Sequence, residues 1–257
     1  MSEAPEQLAE GSLISHLLEL RDRLMRSVIA IAILFAPCAY YSDRLFTLVA
    51  MPLIKRMPKG ASMIATSVVA PFTTPLKLSL LVALFLAMPY VLYQAWAFVA
   101  PGLYRHEKRF AVPLVVSSIV LFYAGVAFAY FVVFPLMFAF LTGIAPQGVQ
   151  MMTDMSDYLD FVLLLFFAFG IAFEIPVATV LLAATGLVKV DTMAKNRGYV
   201  LLGIFVVAAF LTPPDAISQC FMGVPMYLLY EIGIIMSRVL LKQKLAREQQ
   251  EEQSASS

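Results

Sequence analysis

Long runs of uncharged, apolar residues dominate this chain and constrain its fold more than any other feature. Residues 78–104 carry no charge over 27 positions, and residues 110–153 carry none over 44. A helix needs about 20 apolar residues to cross a bilayer, where only helices and closed barrels satisfy their backbone hydrogen bonds. Hydrophobic residues make up 61% of the chain and charged residues 14%, a composition that one soluble core would not need. The sequence therefore predicts an all-α polytopic membrane protein.

Charged residues, glycines and prolines divide these runs into six predicted transmembrane helices in a single domain over residues 1–240. Pro89, Pro176 and Pro225 lie inside predicted helices, and each removes a backbone hydrogen bond, so we expect kinked helices. The fifth and sixth helices are short: the fifth has 14 uncharged residues, or about 21 Å against a hydrocarbon core of about 30 Å. We expect residues 241–257 to be a polar tail without regular structure. The predicted spans are residues 22–42, 76–99, 111–138, 158–185, 198–212 and 216–237.

The distribution of Lys and Arg predicts the orientation, because cytoplasmic loops of membrane proteins carry an excess of these residues. If the N-terminus is inside, the inner segments hold thirteen of them and the outer loops four, with Lys77 near the outer end of the second helix. We therefore expect both termini in the cytoplasm. The first dozen residues are acidic where a secretory signal would be basic, so we expect no cleavable signal peptide.

Glu174 is a carboxylate inside the fourth predicted span. A charge there costs about 2.5–3.5 kcal/mol on insertion scales, so such groups face a protein interior or a watery cavity. Pro176 also frees the carbonyl of Ala172, which places an acceptor within a turn of the carboxylate. A structural role at this kink and a binding or proton-carrying role are both open.

Other polar groups lie in or beside the sixth span. Gln219 and Glu231 are 12 positions apart and do not share one tight face. Gln219 is suited to a hydrogen bond between helices. Asp215 follows two prolines and is suited to capping the start of the sixth helix.

Two inner-side segments combine charge with helical patterning. In residues 12–24, leucines repeat at helical spacing, while Glu19 and Arg23 form a favourable pair four residues apart on the opposite face. An interfacial helix with a solvated charged face is the alternative to a binding site. In residues 98–109, Glu107 is the only acid among three basic residues, and the alternative is a basic anchor at the inner surface.

Enzyme chemistry finds little support in the sequence. The two histidines, His16 and His106, are not in a metal-spaced motif, and no phosphate-binding glycine loop is present. Cys38 and Cys220 lie in separate apolar runs and are expected to be free thiols. We therefore expect no metal, no cofactor and no catalytic residue. The net charge of +1 gives no indication of nucleic-acid binding.

Four segments taken together resemble one family across residues 12–240. They are residues 15–24 (SHLLELRDRL), residues 98–104 (FVAPGLY) with Glu107, residues 173–176 (FEIP) and residues 211–215 (LTPPD). In this order they resemble the TatC family, the multispanning receptor subunits of the twin-arginine protein translocase. The resemblance implies six helices, both termini in the cytoplasm, and a concave bundle shaped like a curved hand.

The resemblance also implies a function. Such a protein recognises twin-arginine signal peptides of folded precursor proteins at the cytoplasmic face of the bacterial inner membrane. It would organise the single-span subunits TatA and TatB, and other copies of itself, for export driven by the proton gradient. Recognition of two guanidinium groups requires carboxylates in a partly desolvated site, where charge-assisted hydrogen bonds are strongest.

Site residues follow from the matched positions. Glu19 and Glu107 match the family's recognition positions, and Leu20, Arg21 and Phe98 lie beside them. Glu174 matches the intramembrane acid associated with contacts to TatA and TatB. The remaining matches, thought to support assembly or signal insertion at the outer side, are Gln219, Asp215, Phe72 and Pro52.

Two other functions are compatible with parts of the sequence. A proton-coupled solute transporter that uses Glu174 would explain the kinked helices and the lack of nucleotide motifs, although the spans offer few polar groups for a substrate site. A scaffold without substrate recognition is the second, and it predicts that Glu19 and Glu107 are dispensable for signal binding.

Overall fold

The computed structural model describes residues 4–54, 63–103, 111–143, 153–212 and 215–255. Within these ranges, five helical stretches are long and apolar enough to cross a bilayer: Ile14–Tyr40, Ala70–Phe98, Val112–Met137, Met155–Ala184 and Ala216–Gln243. A shorter apolar helix, Arg197–Leu211, coincides with the predicted fifth span. The prediction of an all-α polytopic membrane protein is confirmed.

The described elements follow one another along the chain with short connections. The helices are α1 (Ala4–Tyr40), α2 (Ser42–Ile54), α3 (Ala70–Leu103), α4 (Ala111–Phe128), α5 (Phe134–Gly143), α6 (Met155–Ala172), α7 (Ile175–Ala184), α8 (Val190–Lys195), α9 (Arg197–Leu211) and α10 (Ala216–Ala255). A π-helical turn, Ala129–Val133, joins α4 to α5. Two-residue strands β1 (Met63–Ile64) and β2 (Thr153–Asp154) pair in parallel.

Proline accompanies two interruptions in the predicted spans. In the third span, Phe134 donates its backbone N–H to the carbonyl of Ala129, five residues back, and Pro135 follows directly. In the fourth span, α6 ends at Ala172 and α7 begins at Ile175, with Pro176 in its first turn. A proline in the first turn loses no helical bond because its N–H would have no intrahelical acceptor. The break expected at Pro176 is confirmed.

Backbone contacts group the chain into two compact units, and the first comprises Met1–Ile119 with Gln150–Leu163. In it, α1 and α2 both pack against α3. Leu78, Leu159 and Leu163 form a buried cluster to which side chains of α2 contribute. The strands β1 and β2 belong to this unit and pair Met63 with Thr153.

The second unit comprises Val120–Val149 with Leu164–Ser257. Here α7, α8 and α9 pack against α10, and a buried cluster forms from Val190, Met193, Tyr230 and Ile234. The Tyr230 hydroxyl donates to the carbonyl of Met193 at 3.0 Å, which fastens α8 to α10. The single domain over residues 1–240 stays a prediction.

Three helical features were not expected from the sequence. Helices α2 and α8 lie in segments that were predicted only as connections between spans. Helix α10 continues to Ala255, whereas residues 241–257 were expected to lack regular structure. The extension is rich in Lys, Arg, Gln, Glu, Leu and Ala, which are strong helix formers. It starts from an already formed helix, so no new nucleation is required.

Candidate functional site

One face of α1 packs against the C-terminal part of α3, and this contact includes polar side chains from both helices. His16, Glu19, Arg23 and Ser27 recur at intervals of three or four residues, so they lie along one side of α1. The Ser27 hydroxyl donates to the carbonyl of Arg23 at 3.0 Å and is itself buried. Glu19, Arg23 and Ser27 are therefore partly or fully buried along this row.

Glu19 forms an ion pair with Arg23 on the same helix. Arg23 donates to Glu19 Oε1 from Nε at 3.0 Å and from a terminal nitrogen at 2.6 Å. The other terminal nitrogen donates to Gln94 Oε1 on α3 at 3.2 Å. The side chains of Arg23 and Glu19 are 22% and 37% exposed, and Gln94 is 5% exposed. The predicted pair is confirmed, and the structure adds its connection to α3.

An aromatic contact lies one turn from this ion pair. The rings of His16 and Phe98 are stacked, with centroids 4.2 Å apart and planes at 19°. Near by on α3, the Trp96 indole N–H donates to the buried Ser118 hydroxyl at 2.7 Å. Phe98 is thus on the same side of α3 as Gln94, four residues earlier, and the site combines a carboxylate, a guanidinium and a flat apolar surface.

The leucine stripe of α1 does not face the protein. Leu17, Leu20 and Leu24 are all exposed, and so is Arg21. On the charged face, Glu19 and Arg23 are partly buried, whereas Asp22 and Arg26 are exposed. The alternative of an interfacial helix with a solvated charged face therefore stays open. Leu20 and Arg21 lie beside Glu19 in sequence but point away from the contact with α3.

Glu107 lies outside the described residues, so the expected convergence of Glu19 and Glu107 stays a prediction. The last described residue of α3, Leu103, belongs to the same unit as Glu19.

Glu174 lies at the break between α6 and α7, in the second unit. It is half-buried and occupies the position before the first residue of α7. Its backbone N–H donates to the carbonyl of Ile171 at 2.9 Å, and its carbonyl accepts from Ala178 at 2.9 Å. Glu174 therefore lies at the break between α6 and α7, beside Pro176, as the sequence predicted.

Asp215 caps α10. Its Oδ1 accepts a hydrogen bond from the Ser218 backbone N–H at 2.7 Å, an N-cap arrangement. This hydrogen bond holds the pKa of the Asp215 carboxyl below its ordinary value. Gln219 is half-buried in the first turn of the same helix, and its N–H donates to the Asp215 carbonyl at 3.2 Å. The capping interpretation of Asp215 is confirmed.

The two remaining predicted positions belong to the first unit. Phe72 lies in the first turn of α3 and is exposed. Pro52 lies near the end of α2, and its side chain is outside the described residues. The structure thus divides the predicted site residues between the two units, with Glu19 and Phe98 brought to one helix contact.

A second polar cluster lies where β1 and β2 pair and was not predicted. Asp154 Oδ2 accepts from the Thr66 backbone N–H at 2.8 Å and from the Thr66 hydroxyl at 2.6 Å. Asp154 Oδ1 accepts from the Ser156 N–H at 2.7 Å. These hydrogen bonds, those from Thr66 above all, lower the pKa of Asp154 to about 2. Near by, Lys77 pairs with Asp160 at 2.8 Å.

Sequence reasoning missed Gln94 as part of the site. It is an uncharged polar residue in a long apolar run, the same kind of signal that singled out Glu174. The partners of Asp154 and Lys77 are more than 80 positions away along the chain, and no local pattern identifies them. Among the described residues, no group of three or more His, Cys, Asp or Glu side chains is placed to hold a metal ion.

These features define a class of protein. Several apolar helices of bilayer length, with polar groups satisfied in small clusters between helices, are typical of a multi-pass membrane protein that handles a polar cargo.

Comparisons with known proteins identify the family. The family model described as "Sec-independent protein translocase protein (TatC)" matches residues 15–225. The chain is 56% identical to the TatC protein of Azotobacter chroococcum mcd 1 over 234 residues, covering 91% of this chain and 92% of the relative. It is 52% identical to that of Escherichia coli K12, covering 92% of each.

A solved structure agrees with these relatives. A crystal structure of the twin-arginine translocase receptor TatC is 38% identical and has a TM-score of 0.79, covering 87% of this chain and 98% of that one. The chain therefore belongs to the TatC family of Sec-independent protein translocase proteins. It is a multi-pass membrane component of a protein translocase and, as expected, a transport subunit rather than an enzyme.

Proposed function

We propose that this chain is the signal-peptide receptor of its translocase and that Glu19, together with Glu107, binds the two arginines of the signal. In this proposal both termini are cytoplasmic, the site faces the cytoplasm of a bacterial cell, and the inner membrane is the host bilayer. Transport is driven by the proton gradient, and the apolar part of the signal peptide lies beside Phe98.

One observation carries the proposal: Glu19 already binds a guanidinium. Its Oε1 accepts two hydrogen bonds from Arg23, and among the described residues all hydrogen bonds to this carboxylate go to Oε1. In the proposal, a guanidinium of the signal peptide binds at Oε2. At 37% exposure the carboxylate is reachable yet partly desolvated, and such a setting strengthens charge-assisted hydrogen bonds.

Peptide binding tests the proposal. Purified protein in lipid nanodiscs is titrated with a fluorescent peptide that contains a Ser-Arg-Arg motif followed by an apolar segment. Hydrogen bonds to charged groups contribute about 1.5–3 kcal/mol, so Glu19→Gln should weaken binding about tenfold or more. A Lys-Lys peptide should also bind more weakly, because lysine cannot form the paired bonds of a guanidinium.

Asp22→Asn is the matched control, because Asp22 is an exposed acid three residues from Glu19 on the same helix. It removes the same charge from α1 without touching the Arg23 contact. If Asp22→Asn and Glu19→Gln weaken binding equally, the attraction is general and Glu19 is not a specific site. Binding that ignores the arginines would contradict the receptor function and favour a scaffold.

The same proposal assigns partner contacts to the other matched positions. Glu174 at the helix break and Gln219 in the first turn of α10 would contact TatA- and TatB-type subunits. The exposed Phe72, together with Pro52 and Asp215, would support assembly with these and with other copies of the chain. Glu174→Gln and Gln219→Leu should bind the peptide with the affinity of the wild type. When the protein is purified together with co-expressed single-span subunits, both variants should recover fewer of these subunits than the wild type does. Unchanged recovery would remove these residues from the partner contact.

The alternative of a proton-coupled solute transporter depends on Glu174 alone. Membership of a protein translocase family gives it no support, and we do not propose it further.

A further inference from the structure

Arg23 binds two side chains that belong to two helices. It donates twice to Glu19 Oε1 and once to Gln94 Oε1. The side chain of Gln94 is almost fully buried, so this end of the contact has little freedom to move. Arg23 is consequently held between a partly exposed carboxylate and a buried amide.

Arg23 binds Glu19 through its guanidinium group, and an arginine of a twin-arginine peptide would bind through the same group. A guanidinium binds a carboxylate most strongly through two parallel bonds, one to each oxygen. Arg23 already occupies Oε1, so a peptide arginine that approaches Glu19 must accept a one-oxygen contact or displace Arg23. Gln94 remains hydrogen-bonded to Arg23 in the second case, because its contact uses a different nitrogen.

We propose that Arg23 is an internal competitor for the guanidinium that Glu19 binds, with Gln94 retaining Arg23 when the carboxylate is taken. This inference rests on the proposed receptor function and deepens it. Competition for a single carboxylate weakens every guanidinium or ammonium ligand by the same factor. Ligands of low affinity then occupy the site only to a small extent, whereas a ligand with two arginines and an apolar segment still binds.

A supporting role for Arg23 predicts the opposite behaviour. If Arg23 only holds Glu19 in the geometry for binding, its removal would disorder the carboxylate and weaken binding. The direction of the change in affinity therefore distinguishes competition from positioning.

The test measures peptide affinity in nanodiscs for Arg23→Gln, Arg23→Lys and Arg26→Gln. Arg26 is exposed on α1, three residues beyond Arg23, and makes no ion pair with the described residues, so its variant controls for the lost charge. Relative to Arg26→Gln, Arg23→Gln should tighten binding about two- to tenfold, the range that separates an exposed ion pair from a charged hydrogen bond. Arg23→Lys should lie between wild type and Arg23→Gln.

The factor should be the same for the Arg-Arg and the Lys-Lys peptide, because competition for one carboxylate weakens both ligands equally. Weaker binding by Arg23→Gln, or an effect equal to that of Arg26→Gln, would overturn the competitor while leaving the receptor proposal intact. Arg23→Lys keeps the charge and checks that a loss of binding is not a loss of fold. If wild type shows no binding that depends on Glu19, the receptor proposal fails first.

Discussion

At the scale of single residues, the role of each carboxylate depends on the groups that donate hydrogen bonds to it. Glu19 accepts from a guanidinium, Asp215 accepts from the first turn of a helix, and Asp154 joins two distant segments. Only the first has a donor that a peptide ligand could replace. The other two are bound by backbone N–H groups of their own chain, which makes them structural.

The pH response of Asp154 is a prediction at this scale. Its pKa is lowered to about 2, so its charged form favours the folded contact. The contribution is present above the ordinary value of about 4 and is lost as the pH falls through about 2. Corrected for intrinsic exchange rates, hydrogen-exchange protection of the Thr66 and Ser156 amides should therefore fall across this window.

Asp154→Asn should remove this pH dependence. Asp157→Asn, which changes an exposed acid in the first turn of α6, should retain it. Protection that is unchanged between pH 4 and pH 2 in the wild type would show that the ionised carboxylate does not hold the two strands together.

At the scale of elements, the close approach of helices depends on glycine. A Cβ at Gly125 on α4 would lie 2.4 Å from the carbonyl oxygen of Phe169 on α6. A Cβ at Gly170 would lie 2.5 Å from the ring of Phe122. Two glycines on facing helices thus allow the backbones to approach, as small residues do at many contacts between membrane helices.

Gly125→Ala should lower the thermal denaturation midpoint in detergent, because the obstacle is a backbone carbonyl that cannot rotate away. Forced overpacking costs about 1–3 kcal/mol. Gly203→Ala is the control: it lies in α9 with no atom within 4 Å of its Cβ, and it should be neutral or stabilising by up to about 1 kcal/mol through helix propensity. Equal midpoints for the two variants would mean that α4 and α6 do not need this close contact.

Helix α9 is held at its first residue by charge. Arg197 lies 2.6 Å from Glu231 Oε1 and donates to Oε2 at 2.7 Å, while the Tyr227 hydroxyl donates to Oε1 at 2.8 Å. Glu231 was noted in the sequence only as a polar group in the sixth span. Its partner on another helix explains how a carboxylate is accommodated there, since paired charges are far less costly than isolated ones.

At the scale of the whole molecule, the distribution of apolar surface is that of a membrane protein. Phe210 is 86% exposed on α9, where Leu202 is also exposed, and Ile33 and Phe131 are exposed along other spans. In water such surfaces would promote aggregation, whereas in a bilayer they meet lipid. Helix α9, with 15 residues, is about 22 Å long and shorter than the hydrocarbon core.

The proposed orientation gives a prediction at this scale. In a variant with Cys38 and Cys220 replaced by alanine, Ser67→Cys should react with a membrane-impermeant maleimide in intact spheroplasts. Gln249→Cys, on the extension of α10, should react only in inverted vesicles. Each position serves as the control for the other, and the reversed pattern would place both termini outside.

Much of this architecture could be predicted because it depends on composition and local pattern. The apolar runs required helices that cross a bilayer, and Pro176 required a break beside Glu174. The i,i+4 spacing required contact between Glu19 and Arg23. Helices α2 and α8 escaped prediction because their short segments were assigned to the connections between spans. The extension of α10 escaped because its polar composition was interpreted as a tail.

The amino-acid sequence was enough for the class of protein, the helical spans and the acids that we propose for recognition, since hydropathy and helical spacing act over a few turns. Tertiary contacts were needed to show that Arg23 of α1 binds Gln94 of α3 and that Thr66 binds Asp154. Those contacts join residues 71 and 88 positions apart. No local pattern identifies them, because they depend on which distant segments the packing of the fold brings together, where the polar groups then satisfy one another by hydrogen bonds.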